Sequence, residues 1–206
     1  MRARRRHIRK KKMARIEHII PHILRWETST KRRERETIVN LIQRAIDKGV
    51  TRLSGDGGGY TCAGVTLSTY RTFINASATY QELGGMTPAE WMKILRNGFW
   101  SRWQADYLPD QSVANMLVDW VWHSGVYGIK LPQKVLGVEI DGIVGQKTMT
   151  AIFNSNQQQL FTDLKHERLA YIDRLCQHET NKKFKNGWIN RVESLTYIEY
   201  DDDDIY

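Results

Sequence analysis

The chain has 206 residues, 41% of them apolar, with seven Trp and nine Tyr, enough for one domain with a sizeable core. No run approaches about 18 apolar residues, which excludes a membrane-spanning helix, and two cysteines exclude a disulfide scaffold. The formal charge of +8 sits in residues 1–15, which carry nine Lys or Arg and no acid; the rest, with 22 basic and 23 acidic side chains, is near neutral, so the charge belongs to an arm and not to a nucleic-acid-binding body.

That arm reads as a solvated extension, with adhesion to an anionic polymer as the alternative. It is not a signal peptide, because Glu17, His18, Pro21 and His22 interrupt the apolar residues beyond it. Ile19, Ile20, Ile23 and Leu24 recur at helical spacing and predict a first helix over 13–27, with Glu27 at its polar end. A second helix is expected over 31–48, with Ile38, Leu41, Ile42, Ala45 and Ile46 on one face and Gly49 closing it. The segment VTRLSGDGGGYTCAGVT then breaks the helical pattern, since its five glycines favour turns around short strands.

Helices resume near Thr66. Thr87, Pro88 and Glu90 form a capping signature for another helix. SVANMLVDWVWHSG places Val113, Met116, Leu117, Trp120 and Val121 on one face and reads as the central buried helix. Further helices are expected near 132–137, 146–153, 156–178 and 183–196, ahead of an acidic tail at 198–206. The expected architecture is mainly α with a small β-hairpin.

The glycine-rich segment Asp56–Thr66 lacks the Gly-Lys-Ser/Thr of a phosphate loop, so nucleotide binding is set aside. A carboxylic acid beside a tryptophan-rich groove, opposite a hairpin carrying a small hydroxyl, is instead an arrangement that hydrolyses glycosidic bonds. Such an acid must donate a proton near neutral pH, which partial burial against apolar groups favours, and Trp26 with the nearby isoleucines is the expected source. A second polar group must hold a water or stabilise the oxocarbenium-like centre; Asp56 and Thr61 are the candidates. Asp119 lies inside an otherwise apolar helix and is either a hydrogen-bonded packing partner or a group near the cleft floor. Trp100, Trp103, Trp120 and Trp122 read mainly as core, though an exposed Trp100 or Tyr60 would suit a sugar face. Six scattered His and two distant Cys show no metal spacing, and neither metal nor cofactor is expected.

Taken in order, ILRWE, DGGGYTCAGVTLSTY, FWSRWQAD, SVANMLVDWVWHSG and VLGVEIDGIVGQKTMTAI resemble the bacterial and prophage N-acetylmuramidases of glycoside hydrolase family 108, over roughly residues 16–196. The resemblance implies a lysozyme-like catalytic region, expected here over 16–110, and a helical peptidoglycan-binding region packed on it, expected over 111–197. Some members are labelled secretion activator proteins. The family's D-x-G-G-x-T-x-x-G-[VI]-T pattern falls on Asp56, Gly58, Gly59, Thr61, Gly64, Val65 and Thr66. Glu27 falls on the catalytic glutamate and is implied as general acid, with Thr61 across the cleft and Tyr60, Gly64, Thr66, Trp100 and Asp119 as candidate substrate contacts. His123 stands where the family often has Asn or Ala and is not expected to be essential.

The sequence departs from the family right after the acid. Where Gly-Gly-Tyr should follow Glu27, it has Thr28, Ser29 and Thr30, then about twenty additional residues. Loss of glycines that let the chain leave the helix tightly predicts a displaced carboxylate. The expected function is peptidoglycan hydrolysis, with peptidoglycan as partner. The alternatives are a lytic transglycosylase, a peptidoglycan-binding or secretion-accessory protein with a distorted cleft, and, more weakly, nucleic-acid binding through the arm. With no cleavable signal, cytoplasmic synthesis and then holin-like or other export to the wall is expected. Glu27→Gln is expected to cost little stability, as a surface change does.

Overall fold

The computed structural model describes residues 13–52 and 59–198. The basic arm, Asp56 and the acidic tail fall wholly or largely outside those residues. A short 3-10 turn, Ile16–His18, precedes helix α1, Ile20–Thr28. α1 starts later than the expected residue 13 because Pro21 fits only in a helix's first turn; further in, its ring would clash with the carbonyl four residues back. Ile19, Ile20, Ile23 and Leu24 are fully buried.

Helix α2, Ile38–Ile46, is half the length expected, and Thr37 caps it by accepting from Asn40 N–H. The preceding KRRERE run offers no apolar residue to bury, so the segment forms a loop organised by Glu36. The Glu36 carboxylate accepts from Arg44 Nε at 2.6 Å and from the Arg33 amide at 2.9 Å, while the Arg32 guanidinium donates to the Glu36 carbonyl. Those bonds from Arg44 and Arg33 hold the Glu36 carboxyl down to about 2. Leu41, Ile42, Ala45 and Ile46 bury against the core as their spacing predicted.

Strands β1 (Val50–Arg52), β2 (Tyr60–Cys62) and β3 (Val65–Thr66) form one antiparallel sheet in that order, so the expected hairpin is extended by a third strand. Thr61 pairs with Thr51 on one side and Thr66 on the other. The β2–β3 turn consists of Ala63 (φ +47°) and Gly64 (φ +79°), the doubly left-handed geometry that matches strand twist in a two-residue hairpin.

Helices α3 (Leu67–Phe73), α4 (Tyr80–Gly84) and α5 (Pro88–Leu95) come next, α5 opening on the capping box predicted from Thr87 and Glu90. α6, Gln111–Ser124, runs through the middle of the molecule, and residues 111–121 are all buried. α7 (Tyr127–Val135) crosses it at Gly128, where a Cβ would stand 2.4 Å from Val121 N. α8 (Gln146–Asn154), α9 (Gln157–Leu175), the short α10 (Glu179–Lys182) and α11 (Lys185–Glu193) complete a mainly α fold. The main apolar core runs from Ala14 through Trp91 and Val121 to Leu195, and α11 packs through Val192, Trp188 and Ile189 on Ile172 and Cys176 in a second, smaller cluster. Among the described residues no helix is long and apolar enough to cross a membrane.

The chain leaves α1 through Ser29, which takes the left-handed conformation (φ +55°, ψ +23°) that glycine adopts most readily. Thr30 N–H and the Thr28 hydroxyl both donate to the Leu24 carbonyl, and the Thr28 and Thr30 hydroxyls bond each other at 2.7 Å. A left-handed non-glycine residue costs about 1 kcal/mol. Ser29→Gly is therefore expected to stabilise the protein by about 0.5–1 kcal/mol, measured as a raised melting temperature; no gain would mean the turn carries no such cost.

Candidate functional site

Glu27 sits in the last turn of α1 with 23% of its side-chain surface exposed. Three separate elements converge on it. Trp122 Nε1, from α6, donates to Oε1 at 3.0 Å. Arg191 Nη1, from α11, donates to the same oxygen at 2.6 Å. The third is the backbone of Gly64 in the β2–β3 turn: a Cβ there would lie 2.5 Å from Glu27 Cγ and 2.9 Å from its Cβ. The carboxylate is thus held against the glycine turn. Both side-chain donors converge on one oxygen of the carboxylate, Oε1.

The turn itself is pinned from behind. Trp91, fully buried on α5, donates from Nε1 to the Ala63 carbonyl at 3.0 Å. Trp91 also packs against Trp122 at 5.6 Å between ring centroids, and Phe99 does so at 4.6 Å. One aromatic cluster therefore fixes both the indole that bonds Glu27 and the turn that abuts it. Trp26, expected to shield the acid, points elsewhere and donates to Ser194 Oγ at 2.9 Å.

Behind Glu27 lies a buried ionic network. Asp119, fully buried on α6, accepts from Arg168 Nη2 at 2.7 Å and from Arg191 Nη2 at 2.8 Å, with Arg191 Nε at 3.2 Å from each carboxylate oxygen. His22 Nε2 approaches Asp119 Oδ2 to 3.5 Å, too long for a full hydrogen bond, and it makes no other. Burial alone would raise the Asp119 carboxyl, but Arg191 and Arg168 hold it well below the usual carboxylate range. Burial likewise works against Arg191, and Asp119 with Glu27 more than reverses it. Arg168 has only Asp119 to offset its burial and moves down, as a guanidinium that still keeps its charge at physiological pH. His123, partly buried beside these groups, is pushed down to about 4 by burial and then by the two arginines.

Several expected contacts are corrected by this geometry. Asp119 has no exposed surface and answers to arginines, so it touches no substrate. Trp100 is fully buried, with Nε1 bonded to Asp106, and offers no face to a sugar. Thr66 uses its hydroxyl to cap α3, accepting from Thr69 N–H at 3.1 Å. Tyr60 stacks on Tyr80 at 4.6 Å, which covers one of its faces. Thr61 is partly buried on β2, in the strand that leads into the Gly64 turn. Asp56 lies outside the described residues. Arg191, Trp122 and Trp91 were not anticipated as site residues; the available signal was the three-residue step from Asp119 to Trp122, which puts both on one face of α6.

No group of three or more His, Cys, Asp or Glu able to hold a metal occurs among the described residues. The segment DGIVGQKT, residues 141–148, forms a turn organised by the buried Gln133, which accepts from Gly142 N–H and donates to Asp141 Oδ1. A groove of about 590 Å³ between residues 137–139 and 146–154 shares no lining residue with the surroundings of Glu27.

Comparison with known proteins supplies the chemistry that such a site serves. Residues 45–125 match the family described as glycosyl hydrolase 108, and residues 127–193 match a predicted peptidoglycan domain. The two matches meet between α6 and α7. Among solved structures, Brucella abortus SagA is similar at 28% identity and a TM-score of 0.65, over 76% of this chain and 89% of that one. No curated protein matches. Glu27 precedes the matched hydrolase segment, so its assignment rests on its own surroundings.

Two outcomes are expected. Gly64→Ala places a methyl group inside contact distance of Glu27 and strains a left-handed residue. It should lower wall-lysis rate about 10-fold or more by shifting the carboxylate, and stability by about 1–2 kcal/mol; a fully active Gly64→Ala would show that the turn does not set the position of Glu27. For pH, the unfolded His123 takes a proton near 6.5 and the folded ring only near 4. Stability should therefore fall as pH drops through that window, by on the order of 2–3 kcal/mol. His123→Gln should flatten that part of the melting-temperature profile.

Proposed function

We propose, from the match of residues 45–125 to the glycosyl hydrolase 108 family and of residues 127–193 to a predicted peptidoglycan domain, that in this peptidoglycan hydrolase of lysozyme-like fold Glu27 is the general acid that cleaves the glycan backbone. The observation that carries the proposal is the placement of Glu27: partly exposed, anchored through one oxygen by Trp122 and Arg191, and held against the Gly64 turn. A catalytic acid needs a fixed reacting atom with access to substrate, and this carboxyl has both.

The reaction is ordinary glycoside chemistry. Glu27 gives its proton through Oε2 to the glycosidic oxygen after the muramic acid ring, and the C1–O bond breaks with an oxocarbenium-like transition state. A water held by Thr61, on the strand leading into the turn, or by Asp56 adds to C1 and returns a proton to the carboxylate. The products are a new reducing end and a free hydroxyl. Assignment of bond, acid and water site is our reading; the Gly64 contact supports it by placing the strand that carries Thr61 next to the acid.

Ion pairing revises the expected stability of the test variant. Glu27 is half of a partly buried pair with Arg191, so Glu27→Gln should cost about 1–2 kcal/mol and not the few tenths of a surface change. On dye-labelled peptidoglycan the variant should lose lysis at least about 100-fold while remaining folded. Product analysis of the parent should give reducing muramyl ends. Undiminished lysis by Glu27→Gln would remove the assignment, and anhydro-muramyl products would redirect it to transglycosylation.

A further inference from the structure

The C-terminal segment is matched as a predicted peptidoglycan domain, and one of its residues, Arg191, reaches Glu27. Arg191 lies within that segment, on α11, yet its guanidinium is 6% exposed and faces the end of α1, 164 residues away in sequence. One planar group serves two carboxylates. Nε and Nη2 engage Asp119, and Nη1 reaches Glu27 Oε1.

The rest of α11 is arranged to keep it there. Ser194, just past the helix, accepts from Trp26 Nε1 of α1 and donates to the Arg191 carbonyl at 2.8 Å. Lys165 on α9 donates to the carbonyls of Glu193 and Leu195, and Arg168 on the same helix grips Asp119 from the other side. His123 meets Trp188 of α11 edge-on at 5.6 Å. None of these residues lines the groove near residues 137–154 in the same segment.

We infer that Arg191, fixed by Asp119, is a positioning residue for the catalytic carboxyl, so the peptidoglycan-domain segment completes the active site from behind. The inference rests on Glu27 being the acid. Arg191 draws Oε1 inward, selects one side-chain rotamer and leaves Oε2 toward substrate. Asp119 acts only through Arg191 by fixing the plane of its fork. A lysine in the same place carries the charge but has one nitrogen where three are used, so it cannot hold both acids in register.

The experiment compares the full-length parent with Arg191→Lys, Arg191→Ala and Asp119→Asn on dye-labelled peptidoglycan, and sediments each protein with intact sacculi. A positioning role predicts that kcat falls about 10- to 100-fold in Arg191→Lys, while KM and the fraction sedimenting change less than about two-fold. Millimolar guanidinium should restore part of kcat to Arg191→Ala and none to Glu27→Gln, a response that a merely structural residue would not give. Because Arg191→Ala leaves Asp119 with one partner and is the variant most prone to unfold, Arg191→Lys carries the test if it does. A loss of sedimentation with unchanged kcat would make Arg191 part of wall binding and overturn the inference. Faster turnover in Arg191→Lys would overturn it as well, because the ion pair would then be a restraint. If Glu27→Gln is inactive and all Arg191 variants match the parent, this inference fails while the acid assignment stands; if Glu27→Gln is active, the assignment itself fails.

Discussion

A fully buried carboxylate at position 119 is the constraint on which the arrangement depends. An isolated charge in a dry interior is far too costly to keep, so Asp119 requires partners that bring their own charge and enough donors to cover its oxygens. It has two, and they come from different helices: Arg168 on α9 and Arg191 on α11. Satisfying this one group therefore closes both C-terminal helices onto the central helix. The closure carries a surplus, since Arg191 has a nitrogen that Asp119 does not use. Glu27 takes it.

The same helix supplies the neutral half of the arrangement. Asp119, Trp122 and His123 stand three and four residues apart on α6, so they share a face. Trp122 reaches Glu27 directly while Asp119 reaches it through Arg191, and His123 fills the space toward Trp188. Burial, and after it the two cations close by, explain why His123 holds no proton near neutral pH; a third charge would face Arg191 and Arg168. From the opposite side the sheet brings up a residue without a side chain, Gly64, and that lets a turn and a carboxylate occupy adjoining space.

The parts legible in the sequence were those governed by local rules. Apolar spacing identified α1, α2 and α6, the Thr87 and Glu90 pair fixed the start of α5, and glycine density marked the sheet. Boundaries failed where one residue or a charged run outweighed the pattern, as at Pro21 and in the KRRERE loop held by Glu36. Glu27 was legible as an acid ending an apolar stripe. Its partners were not, because Arg191 is 164 residues away and a lone arginine on a polar helix looks like any solvated cation. Trp100 and Asp119 were read as possible sugar contacts for the complementary reason: residue type suggests a role, and only burial shows that the role is internal.

The altered exit from α1 then has a physical account. The family pattern places two glycines after the acid, and here the second of those positions, Ser29, is the one that turns left-handed. A serine there bears a strain of about 1 kcal/mol. Around it the chain has gained what glycines cannot give: two threonine hydroxyls that bond each other, one of them also to the Leu24 carbonyl, and a Lys48 ammonium on the Thr28 carbonyl. Lys48 comes directly after α2, the helix carried by the additional residues, and that helix buries its apolar face in the same core as α1. The additional helix therefore adds packing and the Lys48 bond to an exit that the threonine hydroxyls already brace, and Glu27 at that exit lies against the Gly64 turn.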